Sequence, residues 1–369
     1  MVDWNRIRSY FPGTRNYVYL NAASGSPISI QAARAAKQFY DEMLEHGDVV
    51  WPVWLERKEQ VRQAVAKFIN ARPDEIAFTT NTSHGMNIVA EMLHGRGGVI
   101  TMQDEFPTTT FPWLNRQFDM SFVEPEHAIY SMRNIESSLT DTTGILVTSH
   151  VQYCTGFRQD LEKLGRLCKR HKIIFVVNAT QSIGAMPMDV RKANIDFLVF
   201  ASLKWPMAGY GIGVVYINRR WHGTLHYPIA GWLSVKSPEA MDNIDLDLRN
   251  DASVLEPGCP HFPNIFALGG SIALLEKIGK KNIQARIFEL SEYLAERLQD
   301  KGFRIVTPLA PEHRSGITIV EMEEAGKIVE ALARHRIIVS ARGEGIRIST
   351  HIYNNKKDID TFIKALLSL

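Results

Sequence analysis

The chain has 369 residues, 45% of them hydrophobic and 22% charged, enough apolar content for about two globular domains with ample cores. Its formal net charge is only +2 and it has no long basic block, which argues against nucleic acid or an anionic membrane as partner. No apolar run reaches membrane-spanning length, the opening MVDWNRIRSYFPG is no signal peptide, and Cys154, Cys168 and Cys259 form neither a CxxC pair nor a metal spacing, so a reducing, cytoplasmic setting is expected.

Taken in order, residues 1–13 read as a short helix and a turn, and 17–20 as a short strand. The loop NAASGSPIS follows, beginning at Asn21, with small residues that let a backbone approach a ligand. Helical spacing covers 31–45 and 55–70. Residues 76–79 read as a strand, 80–83 as a turn and 85–93 as a helix. A turn rich in Thr and Ser ahead of a helix suits phosphate, because free N–H groups and the positive helix end face the anion. A strand over 99–102 leads into the loop DEFPTTTFPW, and a strand over 144–149 ends in HVQYCTG. A helix over 160–171 precedes the unbroken apolar run 173–177, β-branched apart from Phe175, as in a strand buried on both faces. That run ends in the polar Asn178, where strands of open α/β sheets present ligand-binding groups. A further strand, 197–200, is followed by Lys204, a glycine-rich stretch and a strand over 214–217. The alternation from 76 to 217 predicts an α/β fold with a mostly parallel sheet. Beyond it, HYPIAGWLSV is irregular. A smaller α/β pattern then has helices over 283–301, 326–335 and 358–367, and strands over 303–306, 316–321, 337–340 and 346–349. The expected division is a large domain of 16–257 and a small one of 1–15 with 258–369.

A lysine just past one strand and a polar side chain at the end of its predecessor suit pyridoxal phosphate. The lysine can hold the aldehyde as a Schiff base, and the strand-end group can contact the ring nitrogen. The blocks NATQSIGAMPMDV, ANIDFLVF and LKWPMAGYGIGVVY resemble the class V aminotransferase family of fold-type-I enzymes, which includes cysteine desulfurases, kynureninases and isopenicillin-N-epimerase-like proteins. The likeness covers nearly the whole chain. It implies pyridoxal 5'-phosphate on Lys204, with Thr82 and Ser83 at its phosphate, Phe106 over its ring, and Tyr153, Asn178 and Gln181 around it. Kynureninase-like members carry tyrosine where Tyr153 stands. On the substrate side the resemblance implies that Arg347 binds the α-carboxylate, a task suited to a planar bidentate donor, and that the loop at Asn21 borders the pocket. It also implies a homodimer with shared sites, in which the Gly258-Cys259 pair, usually Gly-Thr, reaches the neighbouring subunit's phosphate.

Three departures narrow the reading. Asn178 stands where the family has aspartate, and a neutral amide stabilises a protonated ring nitrogen far less than a carboxylate does. This residue suits chemistry needing a weaker electron sink, or is an engineered replacement, or impairs activity. No cysteine lies between His335 and Arg347, where desulfurases carry a persulfide-forming thiolate, and neither Cys154 nor Cys168 is placed to substitute. Leu203 precedes the lysine in place of the desulfurase histidine, and Ala201 replaces a common phosphate-contacting serine, so that LKW resembles the epimerase-like branch. The expected function is therefore a pyridoxal-phosphate enzyme acting on a small amino acid as a lyase, epimerase or aminotransferase. The alternatives are a cysteine desulfurase or selenocysteine lyase, and a degenerate cofactor-binding protein without turnover.

Overall fold

Why three strands should end at one place follows from the chain's order in the computed structural model, which describes residues 2–369. Met1, part of the expected first helix and turn, lies outside the described residues. After α1 (Trp4–Ser9) and the short β1 (Val18–Tyr19), two long helices, α2 (Ile30–His46) and α3 (Trp51–Phe68), lead to β2 (Ile76–Thr79) and α4 (Thr82–Met92). The middle of the chain alternates: β3 (Gly98–Met102), α5 (Pro107–Asn115), β4 (Met120–Val123), α6 (Met132–Ser137), β5 (Thr143–Ser149), α7 (Leu161–His171), β6 (Ile174–Asn178), β7 (Phe197–Ala201) and β8 (Gly213–Ile217). These strands form a seven-stranded sheet of order β2-β8-β7-β6-β5-β3-β4. It is parallel except at β8, which runs antiparallel to both β2 and β7. Every residue of β6, β7 and β8 is buried, which accounts for their continuous apolar sequences.

The C-terminal part begins with α8 (Phe262–Ile278), which packs on α2 and α3. It continues through α9 (Lys280–Gln299), β9 (Ile317–Glu321), α10 (Ala325–Arg334), β10 (Ile337–Ile338), β11 (Ser340–Arg342), β12 (Gly345–Ser349) and α11 (Lys356–Leu366). A three-stranded antiparallel sheet, β11-β12-β9, carries its own apolar cluster. The N-terminal segment is sewn to this part. β1 pairs with β10, and Arg8 forks onto Asp358 at 2.6 and 3.0 Å.

Several expectations needed correction. The strand expected over 303–306 reduces to a single bridge, Ile305 to Val320. The Thr307 hydroxyl accepts from Ile319 N–H at 2.8 Å, taking the place of the next ladder bond. The strand expected over 337–340 is split, because its first half pairs with β1 and its second half with β12. Two of the longer helices went unread, α5 and α8. α5 carries Pro112 inside it and starts from the low-propensity run PTTT, so nothing in its composition signals a helix. α8 is apolar nearly all round and shows no amphipathic period. The strand β4 and the short helix α6 also went unread.

Two details position the site. A Cβ on Gly85 would lie 2.7 Å from Val199 and 2.8 Å from Val215, so only glycine lets α4 lie directly on β7 and β8. This brings the start of α4 to the ends of the strands. The second is Trp205, fully buried between the large sheet and the C-terminal part. Its indole N–H donates to Gln181 Oε1 at 2.9 Å, its carbonyl accepts from His351 Nε2 at 2.9 Å, and its ring abuts Gly316, where a Cβ would come within 2.6 Å.

Candidate active site

Ser149, Asn178 and Ala201 are the last residues of β5, β6 and β7, three adjacent parallel strands. They open into one cavity of about 290 Å³, where ligands of open α/β sheets bind. The turn after β7 adds Leu203 and Lys204, the start of α4 adds Asn81, Thr82 and Ser83, and the start of α5 adds Phe106 and Thr108. The C-terminal part contributes Arg342 and Arg347 across the opening.

Lys204 is half-buried, with its amine enclosed by these walls 5.7 Å from the centre of the Phe106 ring. Burial, reinforced by the charges of Arg347 and Arg342, pushes its pKa down to about 7. Phe106 caps α5, and its ring meets Tyr153 edge-on at 5.1 Å. At α4, Asn81 accepts from His84 N–H at 2.9 Å. The N–H groups of Thr82 and Ser83, in the first turn, have no helical acceptor, and both residues line the cavity. The Thr82 hydroxyl pairs with Thr180 at 2.8 Å, and Ser83 with Thr108 at 2.8 Å.

Asn178 is buried, and its side chain is oriented by two contacts. Its amide donates to Thr109 Oγ1 at 3.0 Å, while its oxygen accepts from Thr180 N–H at 3.1 Å. The second amide hydrogen stays free for a ligand. Behind it, Thr109 lies 3.4 Å from the Ser149 hydroxyl, which donates to the carboxylate of Glu105 at 2.5 Å. Glu105 is buried and also accepts from Ser149 N–H, Thr148 and Gln152; burial raises its pKa against the pull of these donors. Gln181 spans Ala23 O and the Trp205 indole at 2.9 Å each.

Arg347 is buried without a carboxylate partner among the described residues. It donates to Tyr153 O at 3.1 Å and Ser24 Oγ at 2.6 Å, and its Nε has no partner. Burial, and secondarily the charge of Arg342, lowers its pKa to about 10.

Of the residues singled out in the sequence, Thr82, Ser83, Phe106, Tyr153, Asn178, Gln181, Lys204 and Arg347 come together here. Asn21 does not line the cavity; it bridges to Ser349 with its Oδ1 buried and unpartnered, while Ala23 and Ser24 of the same loop form the wall. Cys259 is exposed and outside the cavity of its own chain. Ser24, Thr180, Glu105 and Arg342 were missed. Only the Thr180 position, two residues past a strand-end asparagine, offered a signal. An enclosed amine, an aromatic wall, a free amide N–H and an open helix end fit an aromatic aldehyde that bears a phosphate, as pyridoxal phosphate does.

A family model described as aminotransferase class-V matches residues 18–362. The chain is 31% identical over 305 residues to a probable cysteine desulfurase of Methanothermobacter thermautotrophicus, covering 78% of this chain and 74% of the relative. It is 24% identical to a kynureninase of Shouchella clausii, covering 98% of this chain and 86% of the relative. Among solved structures, the apo cysteine desulfurase from Thermococcus onnurineus NA1 superposes with a TM-score of 0.92 at 25% identity, covering 100% of this chain and 98% of that one.

Proposed function

The chain belongs to the class-V aminotransferase family of pyridoxal-phosphate enzymes, and from that premise we propose that it acts on the α-amino group of a small amino acid. The observation that carries this reading is the pairing of Lys204, with its pKa down to about 7, and the unpaired, buried Arg347 in one cavity. When bound, pyridoxal phosphate supplies an aldehyde that exchanges amines and a ring that draws electrons from the substrate's Cα. Lys204, half neutral near pH 7, takes and returns the proton at that carbon. Arg347 grips the α-carboxylate through its fork, helped by the Ser24 hydroxyl already on its Nη2. The N–H groups of Thr82 and Ser83 would hold the phosphate, and Phe106 would supply an aromatic wall for the ring. Asn178 offers the ring nitrogen a hydrogen bond without a charge. Such a site serves a lyase, an epimerase or an aminotransferase.

The likeness to a desulfurase keeps that reading second. It lacks a nucleophile: no cysteine lines the cavity among the described residues. The nearest in sequence to a lining residue, Cys154, donates to Asp104 O at 3.4 Å, and burial pushes its pKa up to about 12. A homodimer in which the exposed Cys259 loop faces the partner's phosphate is part of the same proposal, tested by sedimentation equilibrium.

The deciding experiment is borohydride reduction of the cofactor-loaded protein, followed by peptide mapping and a screen of amino acids for released product. The reduced adduct is expected on the Lys204 peptide, with turnover of at least one amino acid. An adduct on another lysine overturns the site assignment. An adduct on Lys204 without turnover of any amino acid leaves a binding protein in place of an enzyme.

A further inference from the structure

The cavity is lined by the cations Lys204, Arg342 and Arg347, and by no aspartate, glutamate or histidine. Asn178 removes the one strand-end position from which a lining carboxylate was expected. The proposed function uses Lys204 for the amine and Arg347 for the α-carboxylate, which leaves Arg342 without a task. It is the last residue of β11, opposite Gly345 in a hairpin with β12. The turn is pinned: Gly343 has φ +57°, and a Cβ there would lie 2.6 Å from Cys154 O, next to the cavity-lining Tyr153. The hairpin therefore holds the Arg342 backbone against the loop that forms the cavity wall. Its side chain donates only to the neighbouring Ala341 O, at 2.7 Å, and forms no ion pair with any carboxylate among the described residues. Its charge reaches Arg347, Lys204 and Tyr153. The open end of α4 provides separately for a phosphate, so that group need not neutralise Arg342.

We propose that Arg342 is a specificity residue that selects amino acids with a second anionic group, a carboxylate or sulfinate, at the end of a short side chain. This rests on the reading of the cavity as an amino-acid site with Arg347 on the α-carboxylate. A guanidinium beside an acid-free cavity meets such a group with a charge-assisted, bidentate contact, whereas an uncharged amide of the same shape leaves that guanidinium without a counter-ion.

The test compares isosteric probes on the cofactor-loaded enzyme. L-Aspartate with L-asparagine, and L-glutamate with L-glutamine, are titrated by calorimetry, with L-alanine as reference. At least one acid is expected to bind at least about tenfold more tightly than its amide, the scale of one charge-assisted contact. In Arg342→Gln the acid-over-amide preference should fall to about twofold or less; Arg347→Lys should weaken acid, amide and alanine together and leave the preference in place. Equal binding of acids and amides by the wild type overturns the proposal, as does a preference that survives Arg342→Gln; in both cases the amino-acid reading stands. Failure of all five amino acids to bind overturns that reading and this proposal with it. Arg342 is exposed on a hairpin, so its replacement leaves the fold intact, checked by an unchanged melting temperature.

Discussion

If the Lys204 amine is held near neutrality by its surroundings, the apo-protein must carry that cost in its stability. An ordinary lysine titrates near 10.5, and the enclosed amine is pushed down to about 7, first by burial and then by Arg347 and Arg342. The folded state therefore binds fewer protons than the unfolded one between those values, and raising the pH through that window favours folding. Integrating the two titrations from pH 6 to pH 9 gives roughly 2.5 kcal/mol of added stability from this one group. Many other groups titrate over the same range, so the measurement is a difference. Urea unfolding of the wild-type apo-protein and of Lys204→Met is followed at pH 6, 7, 8 and 9. The gap between them should move in favour of the wild type by about 2 kcal/mol or more as the pH rises, with most of the change above pH 7. A gap that stays constant with pH would refute the account, because the amine would then titrate alike in both states. A gap moving the other way would mean that an anion stabilises the ammonium form in the cavity.

Further expectations concern residues around the cavity. Arg347→Ala should raise KM for the true substrate with a loss on the order of 2–5 kcal/mol and little change in cofactor content; an unchanged KM refutes the carboxylate role. Asn178→Asp should shift the ¹⁵N resonance of labelled cofactor toward a protonated ring nitrogen, while the wild type reads neutral; a protonated ring in the wild type refutes the argument from Asn178. Glu256 bonds Arg62, Lys58 and the Phe78 N–H, and burial is outweighed there so that its pKa falls to about 2. Its contribution to stability is complete above about pH 4.5 and is lost as the pH falls through 2. Glu256→Ala should cost about 3–5 kcal/mol in urea unfolding at pH 7, since it strands buried cations.

The sequence made the chemistry more legible than the framework around it. Asn178 ends β6, Lys204 follows closely on β7 and Arg347 sits midway along β12, all in or beside strands legible in the sequence, and the cavity unites them. Helices α5 and α8 escaped for opposite reasons, one through threonine and proline, the other through uniform hydrophobicity. Ser24 and Arg342 escaped because their meaning lies in tertiary contact. Ser24 matters through Arg347, some three hundred residues away, and Arg342 through a turn that rests on Cys154. Glu105 could not be weighed from its place in DEFPTTTFPW. Its standing comes from the Ser149 and Thr109 hydroxyls that link it to Asn178. The lone antiparallel strand, β8, reads like its parallel neighbours because a buried central strand has the same composition in either direction.

Trp205 has a mechanical consequence. It is bonded to Gln181 on the large sheet's side and to His351 on the other, and its ring fills the space that Gly316 leaves. His351 is buried and neutral, its Nδ1 accepting from Ile352 N–H and its Nε2–H donating to Trp205 O. Neither half can loosen without exposing this indole and stranding a buried amide, so melting is coupled across the wedge. Heating should then give one cooperative transition for the whole chain. Because Lys204 is the preceding residue, the amine loses its enclosure in the same event as the fold loses its core, and reactivity of that lysine toward an acylating reagent would report global unfolding.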